Sequence, residues 1–165
     1  MIIQEKKTIK KEFNMGSEMI AKILVVEDEI ITAMELKMVL EHEGYIVSDL
    51  ISSGELAVKK AIEIQPDLVI MDIQLKGIMD GIEAAEEIQT ILQIPVIYLT
   101  AFSGDQILKK LKTNHTSEFI KEPHVLISKP FRVDELTTKI QNALEKNNIR
   151  SPARGSLKRI LVDKV

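Results

Sequence analysis

The 165-residue sequence contains no cysteine, which excludes disulfides, thiolate catalysis, zinc-cysteine sites and iron-sulfur clusters together, so any metal must sit on oxygen or nitrogen. Glycine is sparse, with seven in the chain, and neither G-x-x-x-x-G-K-[ST] nor G-x-G-x-x-G occurs, so no glycine-rich cradle for a nucleotide is present. No apolar run approaches the roughly 20 residues that cross a bilayer. The opening MIIQEKKTIKKEF also lacks a long apolar stretch followed by a small-residue cleavage site. The expectation is a soluble, unexported, cytoplasmic protein without membrane contacts.

What is present is an ordinary globular composition, 45 % hydrophobic and 28 % charged, in a length that fits about one domain. The net charge of -3 is unevenly placed. Residues 1–21 carry four Lys against three Glu (+1) and residues 148–165 carry five Lys or Arg against Asp163 (+4), which leaves -8 for residues 22–147. An acidic body argues against nucleic-acid binding and favours a bound cation.

Four short apolar runs, Ile23 to Val26, Leu68 to Met71, Val96 to Leu99 and Val125 to Ile127, are continuous rather than alternating. That is the pattern of strands buried on both faces of a parallel sheet. Tyr45 to Ile51 alternates more and fits an edge strand. Helical spacing falls between the runs, clearest in Leu136, Ile140, Ala143 and Leu144 and in Ile88, Ile91 and Leu92. Ser52 with Glu55, Asp80 with Glu83 and Ser103 with Gln106 have the spacing of an N-cap and its reciprocal partner, and Gly44 stands where the first helix should end. Repeated strand-helix units with short loops predict an open, doubly wound α/β sheet, whose ligands bind beyond the carboxyl ends of the strands.

At those ends the chain carries Glu27-Asp28-Glu29, Asp72, Thr100 and Lys129-Pro130. A single carboxylate there is more often a helix cap or a solvated charge. Asp28 and Asp72 on neighbouring strands would instead repel unless a cation or proton compensates. Magnesium suits one or two carboxylates with a phosphoryl oxygen. Lys129 supplies a flexible point charge and Thr100 a hydroxyl donor for the same group. With no nucleotide site, the phosphoryl group must arrive otherwise, and a carboxylate is itself a competent acceptor.

With these residues in place the sequence resembles the receiver domains of two-component response regulators. The resemblance is carried by ILVVEDE with Glu27 and Asp28, LVIMDIQLKGIMDGIEAAEEI with Asp72, PVIYLTAF with Thr100 and ISKPF with Lys129, and it spans about residues 20–147. It implies a doubly wound (βα)5 flavodoxin-like sandwich with a five-stranded parallel sheet of order 2-1-3-4-5. It further implies that Asp72 accepts a phosphoryl group from a histidine kinase phosphohistidine or a phosphotransfer protein, catalysing at most its own phosphorylation and dephosphorylation. Mg2+ would be held by Glu27, Asp28, Asp72 and the backbone carbonyl of Gln74, while Thr100 and Lys129 would engage the phosphoryl group, the Lys129 backbone being held by a cis bond to Pro130. The implied partners are that kinase and an unidentified downstream protein, with a phosphorylation-dependent homodimer compatible and no direct DNA binding. The expected organisation is an N-terminal extension over 1–19, a receiver over 20–147 and a basic tail over 148–165 without an output domain.

Three departures from the family pattern stand out. Leu126 occupies the position, three residues before the lysine, where an aromatic is usual. The stretch from Thr100 to Lys129 is several residues longer than usual, the excess falling at Thr113 to Phe119, and LKGIMDG replaces a shorter proline turn. The runner-up reading is a pseudo-receiver, or protein-binding module, that acts independently of phosphorylation. An aspartate-based phosphatase is weaker, because the first strand does not run into D-x-D. Met34 and Met38, spaced i to i+4, fit core packing; His42, His115 and His124 show no metal spacing; and Lys109, Lys110 and Lys112 fit a solvated helix face.

Overall fold

Each apolar run becomes a strand, and each described connection between strands runs through a helix. The computed structural model describes residues 20–101 and 125–147. In chain order the elements are β1 (Lys22–Val26), α1 (Ile30–His42), β2 (Ile46–Ile51), α2 (Gly54–Ile64), β3 (Leu68–Asp72), α3 (Gly81–Leu92), β4 (Val96–Thr100), β5 (Val125–Ser128) and α4 (Val133–Lys146). All strand pairs are parallel, in the order β2-β1-β3-β4-β5, as the sequence predicts. The edge strand β2 breaks register, because Ile23 pairs with Val47 but Leu24 with Asp49. The skipped Ser48 returns its hydroxyl to the Ile23 carbonyl at 3.0 Å.

The continuous apolar runs follow from burial on both faces. Leu24, Val26, Val69, Met71 and Tyr98 point to the side covered by α2 and α3, where Ala57, Ala61, Ala84, Ala85 and Ile88 meet them. Their neighbours Ile23, Val25, Leu68, Ile70, Ile97, Leu99 and Ile127 face α1 and α4, against Leu36, Leu40, Leu136 and Ile140. Among the described residues no helix is long and apolar enough to cross a membrane.

The caps sort differently. Asp80 and Glu83 form the predicted capping box, with Asp80 Oδ1 accepting from the Ile82 and Glu83 amides at 2.9 and 3.0 Å and Glu83 Oε2 accepting from the Asp80 amide at 3.0 Å. On α2 the cap is Ser53, not Ser52, its hydroxyl accepting from Leu56 at 3.4 Å. The helix starts one residue later than the spacing suggested, and Glu55 is left to bond elsewhere. Gly44 follows the end of α1 as expected, at φ +91°. The pair Ser103 and Gln106, the 113–119 stretch, His115, His124 and Lys109 to Lys112 lie outside the described residues, as do 1–19 and 148–165.

One packing expectation is corrected. Met34 and Met38 are 54 % and 70 % exposed, because the inward stripe of α1 is Ala33, Leu36 and Leu40, and both methionines lie on the side of the helix turned away from it. On α3, Ile88 is buried and Leu92 packs at the margin, but Ile91 faces outward. At the other end of α3, Gly81 is required by close approach: a Cβ there would fall 1.8 Å from the carbonyl oxygen of Asp72. The end of β3 is thereby wedged against the start of α3.

Candidate functional site

The carboxyl ends of β1, β3, β4 and β5 open on one side of the sheet, and the predicted residues lie there. Glu27 extends β1, its amide donating to the Ile51 carbonyl at 2.8 Å, and its side chain turns inward and is buried. Asp72 is the last residue of β3 and is also buried. Thr100 closes β4, fully buried, and its carbonyl accepts the Lys129 amide at 2.7 Å, which fixes the lysine backbone just past β5. The Lys129–Pro130 bond is cis.

The Lys129 ammonium joins the strand ends, donating to Glu27 Oε2 at 2.5 Å and to Asp72 Oδ2 at 2.8 Å. The other Asp72 oxygen, Oδ1, accepts the Gln74 amide at 2.9 Å, and Glu27 Oε1 accepts the Glu29 amide at 3.1 Å. Asp28 stands beside them, its Oδ2 enclosed and without a hydrogen bond among the described residues, with the Lys76 ammonium 3.2 Å away. Glu27, Asp28 and Asp72 each bring a carboxylate oxygen to within 4.8 Å of the others.

Burial pushes the Glu27 carboxyl above its ordinary pKa, the Lys129 hydrogen bond pulls it back, and the Asp72 charge raises it again. For Lys129, burial disfavours the ammonium, but the hydrogen bonds to Asp72 and Glu27 and then their charges outweigh it, so its pKa is raised. One part-buried ammonium is thus shared by two buried carboxylates, with a third alongside. Such a cluster is short of positive charge, and its all-oxygen donors suit a hard divalent cation. The residues fit Mg2+.

The structure therefore brings together Glu27, Asp28, Asp72 and Lys129, with Gln74 bonded through its amide to Asp72 and Thr100 at the adjoining strand end. Sequence reasoning missed two participants. Lys76 lies within LKGIMDG, and its cation four residues beyond Asp72 was the available signal. Glu55 accepts the amides of Ile78 and Met79 at 3.1 and 3.0 Å through one oxygen, and its own backbone amide first, then that of Met79, hold its carboxyl below the usual range. No local pattern reveals that contact, since its partners lie more than twenty residues downstream.

Comparison with known proteins agrees with this geometry. Residues 23–141 match the family model of the response regulator receiver domain. The chain is 32 % identical over 125 residues to the transcriptional regulatory protein PdtaR of Mycobacterium tuberculosis, covering 76 % of this chain and 57 % of that protein. It is 31 % identical over 131 residues to the phyllosphere-induced regulator PhyR of Methylorubrum extorquens, covering 79 % and 46 %. It thus spans about half the length of these curated relatives. Among solved structures, the signal receiver domain of a modulated diguanylate cyclase from Desulfovibrio desulfuricans superposes with a TM-score of 0.67 at 29 % identity, covering 78 % of this chain and 97 % of that one.

Proposed function

The chain belongs to the response regulator receiver family, and from that premise we propose that it is a phosphoacceptor signalling switch. Asp72 takes a phosphoryl group from the phosphohistidine of a sensor kinase or phosphotransfer protein, and the change in charge alters binding to a downstream protein. The observation that carries this reading is the Lys129 ammonium held between Glu27 and Asp72 at the ends of three strands. The receiver unit is residues 20–147, acting in the cytoplasm.

The chemistry follows from the polarity of the pocket. An ionised Asp72 oxygen attacks phosphorus, the phosphorus–nitrogen bond of the donor breaks, and the imidazole leaves with the bonding electron pair. Lys129 balances charge that would otherwise oppose the approach of a phosphoryl group, and the Thr100 hydroxyl at the next strand end supplies a donor. The Gln74 amide holds Asp72 Oδ1 and the Lys129 ammonium holds Oδ2, so both oxygens are oriented before a donor arrives. Mg2+ would be held by Glu27, Asp28, Asp72 and the Gln74 carbonyl, and when bound it screens carboxylate and phosphoryl oxygens from one another.

Incubation with acetyl phosphate and Mg2+, followed by intact mass measurement, tests the reading. We expect a gain of one phosphate that is absent in Asp72→Asn. No adduct under any condition, with one partner bound equally by the wild type and Asp72→Asn, would instead establish a phosphorylation-independent binding module.

A further inference from the structure

The turn after Asp72 is fastened at both ends. At its start, the Gln74 amide is tied to Asp72 Oδ1 at 2.9 Å. At its far limb, Glu55 at the start of α2 accepts from the Ile78 and Met79 amides. There α2 and the turn are in backbone contact, since a Cβ on Gly54 would lie 2.7 Å from the Met79 carbonyl oxygen. Gly77, at φ +154°, allows the reversal between the two anchors.

Between the anchors sits Lys76. Its stem and ammonium are 89 % exposed, yet the ammonium reaches back to Asp28 Oδ2 at 3.2 Å, where the Asp28 side chain is only 12 % exposed. Among the described residues that oxygen has no hydrogen bond, so its compensation there is charge alone. Lys129 differs: its ammonium is sunk between two buried carboxylates and bonded to both. A flexible, solvated lysine on an anchored turn is the cheaper cation to displace, because its head is already hydrated and gives up only one exposed ion pair on leaving.

We propose that Lys76 is a tethered counter-cation for Asp28 that occupies this carboxylate in the absence of a divalent ion and yields it when one binds, thereby setting the affinity of the pocket for Mg2+. This rests on reading the pocket as a magnesium-dependent phosphoacceptor. Glu55 and Gly54 act as positioning residues, since they fix the turn from which Lys76 reaches inward.

The test is calorimetric titration of the full chain with MgCl2 for wild type, Lys76→Met and Lys76→Arg, together with thermal unfolding of each without and with saturating Mg2+. Lys76→Met keeps the stem and drops the charge, and it should bind Mg2+ about two- to fivefold more tightly, the span expected for a solvent-exposed ion pair. Lys76→Arg should bind like wild type. Without metal, Lys76→Met should melt below wild type, and saturating Mg2+ should remove the difference. Equal affinities for wild type and Lys76→Met, or tightening in Lys76→Arg as well, overturn the proposal while leaving the metal reading intact. A wild type that binds no Mg2+ at millimolar concentrations overturns both.

Discussion

Lys129 decides the electrostatics of the pocket at the scale of one atom. Its pKa in the fold is raised above 10.5, so the stability it contributes is fully present below pH 10.5 and is lost as pH rises through the higher folded value. Glu27, raised above 4.5, works the other way at neutral pH: the fold prefers it protonated, and that preference, complete below pH 4.5, fades as pH rises through its shifted value. Replacing Lys129 with Met would leave Glu27 and Asp72 buried without their shared cation. The expected cost in metal-free protein at pH 8 is about 3–5 kcal/mol, the usual result of removing one partner of a buried pair. The difference from wild type should shrink as pH rises from 10.5 through the higher folded value, where the wild-type ammonium also loses its proton. Urea unfolding of both proteins at pH 8 and pH 11 without Mg2+ measures this, and a pH-independent difference would count against the ion-pair account.

At the scale of the element, α1 shows how far pattern alone carries. The strands were legible because burial on both faces writes itself as an uninterrupted apolar run, and α4 was legible because its apolar residues keep to one stripe. In α1 that rule gives no answer, since Ile30, Ile31, Met34 and Met38 are exposed while Ala33, Leu36 and Leu40 are buried, so apolar residues surround most of the helix. The spacing of Met34 and Met38 is genuinely helical; which face meets the sheet is set by tertiary packing. The same limit applies at α2, where the spacing pointed to Ser52, the helix is capped by Ser53, and the 73–79 turn claimed Glu55. Exchanging Met34 and Met38 for Ala should therefore change stability by no more than about 0.5 kcal/mol each, as at other exposed positions. Leu36→Ala should cost about 2–5 kcal/mol. Chemical denaturation of the three variants checks the orientation of the helix, and a loss from Met38→Ala comparable to that from Leu36→Ala would reverse it.

For the whole molecule the relevant fact is that the acidic groups come from different strands. Glu27 and Asp28 follow β1, Asp72 ends β3, and their cation Lys129 follows β5, so the pocket spans a sheet whose central strands are buried on both faces. The sequence shows this juxtaposition only once the strand order is known, because nothing local to Glu27 points to Lys129, 102 residues away. A ligand that binds there closes a contact between the β1 and β3 ends, which separates when the sheet does, so its binding energy belongs to the cooperative unit and not to the 73–79 turn alone. Mg2+ at about one hundred times its dissociation constant should then stabilise the folded protein by about 2.7 kcal/mol, raising a single unfolding transition. Asp28→Asn should abolish most of the rise while keeping the fold, since among the described residues the Asp28 side chain pairs only with Lys76 on the turn and with no other strand. Thermal unfolding across a Mg2+ titration, paired with hydrogen exchange, measures both parts: slowed exchange should extend to the central amides of β1 and β3. Protection confined to residues 73–79, with an unmoved midpoint, would show that the ion binds the turn without holding the strand ends together.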